Sequence, residues 1–168
     1  MSDQEILRIL VVGDAVGRPG RRAVGEIVSA WRRDGRVDFV IANGENAAHG
    51  KGLTKESAKE LFSAGVDVLT MGNHTWDNKD IFTWIEAEPR LIRPLNFGPP
   101  PDVPGRGWGV FEVPGREGVK VGVLNLIGLV HMAPLGSSPF LAANSALPEI
   151  AAQTPIIFVD FHAEATSE

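Results

Sequence analysis

The sequence predicts an α/β fold in which a parallel sheet is followed by an antiparallel hairpin. Short β-branched runs alternate with segments of helical periodicity through the first half of the chain, and two adjacent strands around a Pro-Gly turn then follow. Alternating strands and helices are typical of parallel sheets with crossover helices. A third observation concerns function, because polar residues follow the ends of four separate predicted strands.

The first half of the chain predicts three strands, each followed by a helix. "ILRILVVGD" is a β-branched run ending in Gly13-Asp14, and apolar residues recur at helical spacing over residues 19–33. "VDFVIANGEN" predicts the second strand, and Thr54 is placed to cap a helix that runs to about residue 64. "VDVLTMGNH" predicts the third strand, and residues 79–88 predict a short helix closed by a proline.

The second half predicts a hairpin, a helix and a final strand. "GWGVFEVPGREGVKVGVLNLIG" reads as two strands around Pro114-Gly115. A helix over residues 141–152 and the strand "PIIFVDFHAE" follow. "GPPPDVPGRG" predicts a stiff loop rather than a linker, so residues 1–168 are expected to form a single domain.

Composition limits the classes of function. Lys and Arg number 16 against 21 Asp and Glu, a net charge of −5, which argues against a stable nucleic-acid complex. The basic cluster of the first helix is interpreted as a solvated face that could still meet a phosphate locally; its members are Arg18, Arg21, Arg22, Arg32 and Arg33. The absence of cysteine excludes disulfides and thiolate sites. Without a signal-peptide pattern or a membrane-spanning run, the chain is predicted to be cytoplasmic with no membrane partner.

The polar residues at the strand ends predict a ligand site, since such sites assemble at the carboxyl ends of strands in open α/β sheets. The residues are Asp14, Asn43 to Asn46, Asn73-His74, and His162 with Glu164. Considered singly, each has a structural explanation: a helix cap, a turn, a satisfied histidine or a surface charge. Considered together, oxygen and nitrogen ligands without cysteine favour a site for iron, manganese or zinc.

Two glycine-rich stretches are candidates for phosphate loops. "GENAAHGKGL" is similar to a Walker A loop, but the spacing to Gly50-Lys51 is one residue too long and Gly52 replaces the Ser or Thr. "GDAVGRPG" lacks the dinucleotide fingerprint. Both are interpreted as turns, which leaves a metal-free nucleotide-binding module as the weakest alternative.

The motifs "GD", "NGEN", "GNHTWD" and "DFHAEATSE" resemble those of the calcineurin-type metallophosphoesterases and, more narrowly, the bacterial YmdB-like phosphodiesterase family. Asp14-Ala15-Val16 lacks the histidine of the superfamily's Asp-x-His motif, and Glu45 stands where Asp is common. Both departures are typical of the narrower family. The resemblance implies a metallophosphoesterase-like α/β/β/α sandwich with mixed sheets.

The resemblance also implies a function: hydrolysis of phosphodiesters, with cyclic nucleotides such as 2′,3′-cyclic nucleotides as the small substrate, by a two-metal centre. Iron or manganese are the expected metals, with zinc or magnesium as alternatives. Asp14 is implied to bind the first metal and Glu45 to bridge both. Asn46 would contact the first metal or the phosphate, while Asn73 and His162 would bind the second.

His74 is implied to be the catalytic proton donor to the leaving group. The family continues into a Gly-Thr-His-Thr-His motif that His49 and His131 do not match. The chain is therefore expected to be the N-terminal two-thirds of a family member, truncated at the C-terminus. It is expected to bind metal weakly, to be nearly inactive and to form a homo-oligomer through an exposed strand edge. The alternative function is a non-catalytic regulatory protein that senses a metal or nucleotide at the same strand ends.

Overall fold

The computed structural model describes residues 6–98, 102–133 and 136–168. The α-helices and strands within those residues, in chain order, are β1 (Ile9–Val12), α1 (Gly17–Arg33), β2 (Phe39–Asn43), α2 (Lys55–Ser63), β3 (Val68–Thr70), β4 (Trp108–Glu112), β5 (Lys120–Ile127), α3 (Pro139–Ala151) and β6 (Ile157–His162). None of the helices in the described part of the chain is long and apolar enough to cross a membrane.

The strands form two sheets. The first has the order β1-β2-β3 and is parallel, with Ile9 opposite Phe39 and Ile41 opposite Val68. The second has the order β4-β5-β6, in which β4 and β5 form the antiparallel hairpin and β6 runs parallel to β5. The predicted combination of a parallel sheet and a hairpin is confirmed, and mixed pairing is confined to the second sheet.

The two sheets pack face to face with helices outside them, which confirms the predicted α/β/β/α layers. All five residues of β2 are buried because both faces of this strand are covered. Phe39 and Ile41 face the second sheet, and the intervening Val40 faces α1 and α2, as the two-residue period of a strand requires. α3 covers the outer face of the second sheet, where Ile150 packs with Leu124.

The predicted helix over residues 79–88 is instead two short 3₁₀ helices, Lys79–Thr83 and Ile85–Ala87. Between them Trp84 leaves the helical region at φ −142°, and its indole Nε1 donates to Asp80 Oδ2 at 3.1 Å. The β-branched and aromatic residues of this segment form helices poorly, so tertiary packing decides its shape. The cap predicted at Thr54 is confirmed, because its hydroxyl accepts from the Ser57 N–H.

Candidate metal centre

Glu45 lies at the middle of the site because of the turn that follows β2. The side-chain oxygen of Asn43 accepts from the Glu45 N–H at 3.0 Å, and the Gly44 N–H donates to the Thr70 carbonyl at 2.9 Å. This turn leaves Glu45 only 1% exposed. A buried carboxylate needs compensating partners, and Glu45 has them on two sides. Its Oε1 lies 3.1 Å from His162 Nε2, and its Oε2 accepts from the His74 N–H at 3.0 Å.

The segment after β3 approaches Glu45 closely because Gly72 has no side chain. A Cβ at this position would overlap both the Glu45 carboxylate and the His162 ring. Asn73 follows, and its Oδ1 lies 3.0 Å from His162 Nε2. The Thr75 hydroxyl donates to the Gly72 carbonyl at 2.6 Å and fixes the turn. A glycine is therefore required for Glu45, Asn73 and His162 to meet.

His162 comes from the second sheet. It is the last residue of β6 and lies opposite Ile127 of β5, at the end of the second sheet that is next to the strand ends of the first sheet. Burial lowers the pKa of His162, but its hydrogen bond to Glu45 and the negative charges of Glu45, Asp14 and Asp160 outweigh burial and raise that pKa above its usual value. The cluster thus favours a positive charge at this position.

Asp14 and Asn46 form the more exposed flank of the cluster. Asn46 Nδ2 donates to Asp14 Oδ2 at 3.0 Å and lies 3.4 Å from Glu45 Oε1. The Gly17 N–H donates to the Asn46 carbonyl at 2.8 Å, so the start of α1 is tied to this flank. One ligand atom each from Asp14, Glu45 and His162 lie within 4.8 Å of one another.

These donors fit a metal ion. The distances of 3.0 and 3.1 Å from His162 Nε2 to the Asn73 and Glu45 oxygens match the spacing of neighbouring ligands around one cation, since bonds of ~2.1 Å at right angles separate two ligands by about 3 Å. Oxygen and imidazole donors without thiolate suit manganese, iron or zinc. The metal-ligand roles themselves stay predictions.

His74 lies beside the cluster with its ring turned to other partners. Its Nδ1 lies 2.8 Å from Asp77 Oδ2, and its Nε2 lies 3.3 Å from Asn73 Nδ2. Only its backbone N–H contacts Glu45. The side chain is partly exposed, so its Nε2 can reach a molecule bound over the cluster. This position suits the predicted proton donor better than a metal ligand.

The structure adds residues that the sequence interpretation did not assign. Asp77 follows His74 by three residues and fixes its ring. Asp160 is partly buried near Glu45, and burial raises its pKa. Its two-residue spacing from His162 on β6 was the available signal, because such residues share a face. Asn125 accepts from the Met71 N–H at 3.0 Å and joins the two sheets. Glu164 is exposed.

Comparison with known proteins gives a consistent family relationship. The family model described as YmdB-like protein matches residues 10–168. The 2′,3′-cyclic-nucleotide 2′-phosphodiesterase of Bacillus subtilis (strain 168) is 49% identical over 96% of this chain and 59% of its own length.

Two solved structures have the same fold. A hypothetical protein from Thermus thermophilus superimposes with a TM-score of 0.84 at 42% identity, covering 96% of this chain and 60% of that one. A protein from Mycoplasma pneumoniae described as a novel phosphatase superimposes with a TM-score of 0.83 at 32% identity, covering 96% and 57%. The chain therefore spans 57–60% of the length of these three proteins.

Proposed function

Because this chain belongs to the YmdB-like protein family, we propose that its cluster of Asp14, Glu45, Asn73 and His162 holds metal ions that serve phosphodiester hydrolysis. The observation that carries the proposal is that His162 Nε2, from the second sheet, lies 3.1 Å from Glu45 Oε1 and 3.0 Å from Asn73 Oδ1, both from the first sheet's strand ends. The substrate class we propose, cyclic nucleotides and 2′,3′-cyclic nucleotides in particular, follows from the name of the Bacillus subtilis relative. Because the chain spans about 60% of such relatives, the activity of the whole protein is part of the proposal.

Each residue of the cluster has a defined task in this proposal. A pair of bound metal ions would supply a hydroxide nucleophile and charge neutralisation at the phosphoryl group. Glu45 would be the ligand shared by both ions, and its two oxygens have different neighbours: Oε1 lies near His162 and Oε2 accepts from the His74 N–H. Asp14 and Asn46 hold the exposed side, while Asn73 and His162 hold the buried side.

His74 donates a proton to the leaving alkoxide. Its Nε2 faces the amide of Asn73, and Asp77 holds Nδ1 at 2.8 Å, so the ring is oriented with Nε2 towards the cluster. For this role the ring must be protonated on both nitrogens, and the Asp77 carboxylate accepts the Nδ1 proton. The leaving oxygen receives the proton from Nε2.

The proposal is tested by metal titration and hydrolysis of bis-p-nitrophenyl phosphate, with the Bacillus subtilis relative as the positive control. We expect Mn²⁺ to bind this chain weakly and to elicit only slow hydrolysis compared with that relative, both lost in Asn73→Ala. As a matched control, Asn144→Ala changes an exposed amide on α3 and should alter neither quantity. Metal binding without turnover would favour the regulatory protein, and neither metal binding nor turnover would contradict the proposal. The choice of iron or manganese, the homo-oligomer and the cytoplasmic location stay predictions.

A further inference from the structure

The basic cluster on α1 contains one member without an acidic partner. Arg21 pairs with Glu60, Arg22 with Glu26, Arg32 with Asp67 and Arg33 with Asp34; these pairs account for the cluster's other four members. Arg18 is exposed and makes no ion pair with any described residue. The predicted solvated face is therefore mostly a set of ion pairs, and Arg18 is the exception.

Among the other cationic or ionisable side chains that lack an acidic partner, two lie in the loop that follows Asn46. His49 and Lys51 are both exposed, and neither has a side-chain hydrogen bond or an ion pair with the described residues. The loop adjoins the start of α1, because a Cβ on Gly17 would lie 3.8 Å from the Gly50 nitrogen. Arg18 follows Gly17, and His49 and Lys51 stand on either side of Gly50, so all three residues adjoin this backbone contact. We call these three residues the cationic rim.

The cationic rim borders the candidate metal centre. Gly17, next to Arg18, donates its N–H to the carbonyl of Asn46 at 2.8 Å. Asn46 in turn donates its side-chain N–H to Asp14 at 3.0 Å. Two short links therefore connect the rim to the Asp14 side of the centre.

The loop of the rim has a defined conformation. The Lys51 N–H donates to the Ala48 carbonyl, and the Ala48 N–H donates to the Gly52 carbonyl, both at 3.0 Å. The backbone of His49 has φ +51°, a left-handed conformation that is uncommon in residues other than glycine. Such conformations persist where the surrounding structure requires them, and they concentrate at binding sites. A Cβ on Gly52 would overlap Asn78, so the loop also packs against the segment that follows His74.

We propose that Arg18, His49 and Lys51 bind a second phosphate of the substrate, one that is not cleaved. This inference rests on the proposed function, in which the metal centre takes the scissile phosphate. In a protein of net charge −5, cations left without acidic partners beside an acidic site are available to an anion from solution. A cyclic nucleoside monophosphate has no group for them, whereas the same molecule with a phosphate at its other end does. The substrate class is therefore a phosphodiester that carries an additional phosphate.

The test compares product-like ligands that differ by one phosphate and contain no cyclic diester. Binding of adenosine 3′-phosphate, adenosine 3′,5′-bisphosphate and the dinucleotide adenylyl-(3′→5′)-adenosine 3′-phosphate is measured by calorimetry with saturating Mn²⁺. We expect the bisphosphate to bind about tenfold more tightly than the 3′-phosphate, since exposed ion pairs contribute up to ~1 kcal/mol each. Tighter binding of the dinucleotide would assign the second phosphate to an internucleotide diester, and tighter binding of the bisphosphate would assign it to a terminal monoester.

The variants locate the effect. In Arg18→Ala with Lys51→Ala, the preference for the bisphosphate should disappear while the affinity for the 3′-phosphate stays the same. The matched control is Arg106→Ala with Lys59→Ala, which removes two exposed cations from other surfaces and should keep the preference. If the preference for the bisphosphate survives in the variant of the cationic rim, or falls equally in that variant and the control, the rim proposal is overturned and general attraction of anions is indicated.

The two proposals fail in different ways. Equal binding of the two adenosine ligands would overturn the rim and leave the metal centre intact. A preference for the bisphosphate that depends on the cationic rim but needs no Mn²⁺, in a protein that does not hydrolyse bis-p-nitrophenyl phosphate, would support the rim proposal and overturn the proposed function. Absence of binding by all three ligands would overturn both.

Discussion

Two polar centres in the described part of the chain have opposite organisation. At the candidate metal centre, the polar atoms of Asp14, Glu45, Asn73 and His162 face one another. At the other, the guanidinium of Arg93 is fully buried, and each of its hydrogen bonds to described residues ends on a backbone carbonyl. These carbonyls belong to Pro94, Leu95, Val103, Pro104 and Gly105, and we call the set the arginine clamp.

The difference separates a site from a structural device. In the arginine clamp the guanidinium N–H groups donate to backbone carbonyls of the surrounding loop, so their hydrogen bonding is satisfied within the protein. Burial lowers the pKa of Arg93 to about 10, with the opposite influence of Glu86, and the group therefore stays charged at neutral pH. In the metal centre, two carboxylates share one imidazole, an arrangement that a cation would complete. Substitutions should accordingly damage stability in the clamp and ligand binding in the centre.

The largest effect is expected from Arg93→Met. The substitution keeps the apolar stem and leaves several buried carbonyls without donors, so the free energy of unfolding should fall by about 3–5 kcal/mol. Urea denaturation measures the change. The matched control is Arg33→Met, which alters an exposed arginine on α1 and should leave the unfolding midpoint unchanged. An Arg93→Met protein as stable as the wild type would show that the clamp is not a structural device.

His74→Ala should affect chemistry without affecting metal affinity. Its ring contacts Asp77 and Asn73 rather than the carboxylates of the centre, so kcat on bis-p-nitrophenyl phosphate should fall by ~10²–10⁴ while the Mn²⁺ affinity remains. Calorimetry and steady-state rates measure the two quantities. His131→Ala, an exposed histidine outside the centre, is the matched control. Loss of metal together with activity would mean that His74 is a ligand.

Glu45→Gln should lower metal affinity by about 100-fold or more, because even residues outside the ligand set change metal affinity by 10–100-fold. The isosteric amide also removes the main partner of a protonated His162, so the free energy of unfolding of the metal-free chain should fall most at low pH, where that ring is protonated, and least at high pH. Metal titration and urea denaturation measure both, with the exposed Glu112→Gln as the control. A variant that unfolds readily yet binds Mn²⁺ normally would place Glu45 with the structural residues.

The sequence predicted the strands and the strand-end residues well because each depends on local pattern. β2 is a continuous apolar run, and Glu45 follows it directly. The convergence with His162 depends on how the second sheet packs on the first, which a resemblance can imply but a local pattern cannot. The clamp at Arg93 was not predicted, since its partners are carbonyls that any sequence supplies. Residues 79–88 were predicted as one helix, but the helix is interrupted at Trp84, whose extended φ of −142° is not evident from the residue types.

The smallest effect is expected from Asp77→Asn, and it separates positioning from chemistry. Asp77 contacts His74 through Nδ1 at 2.8 Å and is itself exposed, so it acts through the histidine. We expect kcat to fall about tenfold, with KM and Mn²⁺ affinity unchanged, since an outer partner that orients a ring is worth 10–100-fold at most. The neighbouring Asn78→Ala, which loses a cap on Asp80 instead, serves as a control for disturbance of the turn.

The double variant His74→Ala with Asp77→Asn gives the stricter test of this role. If Asp77 acts only by orienting His74, its removal should cost nothing further once the histidine is absent, because residues that act as a unit are strongly non-additive. The rate of the double variant should then equal that of His74→Ala. A further tenfold loss would show that Asp77 contacts the substrate or a metal ion independently. In that case the metal centre would extend beyond the strand ends to the turn that follows them.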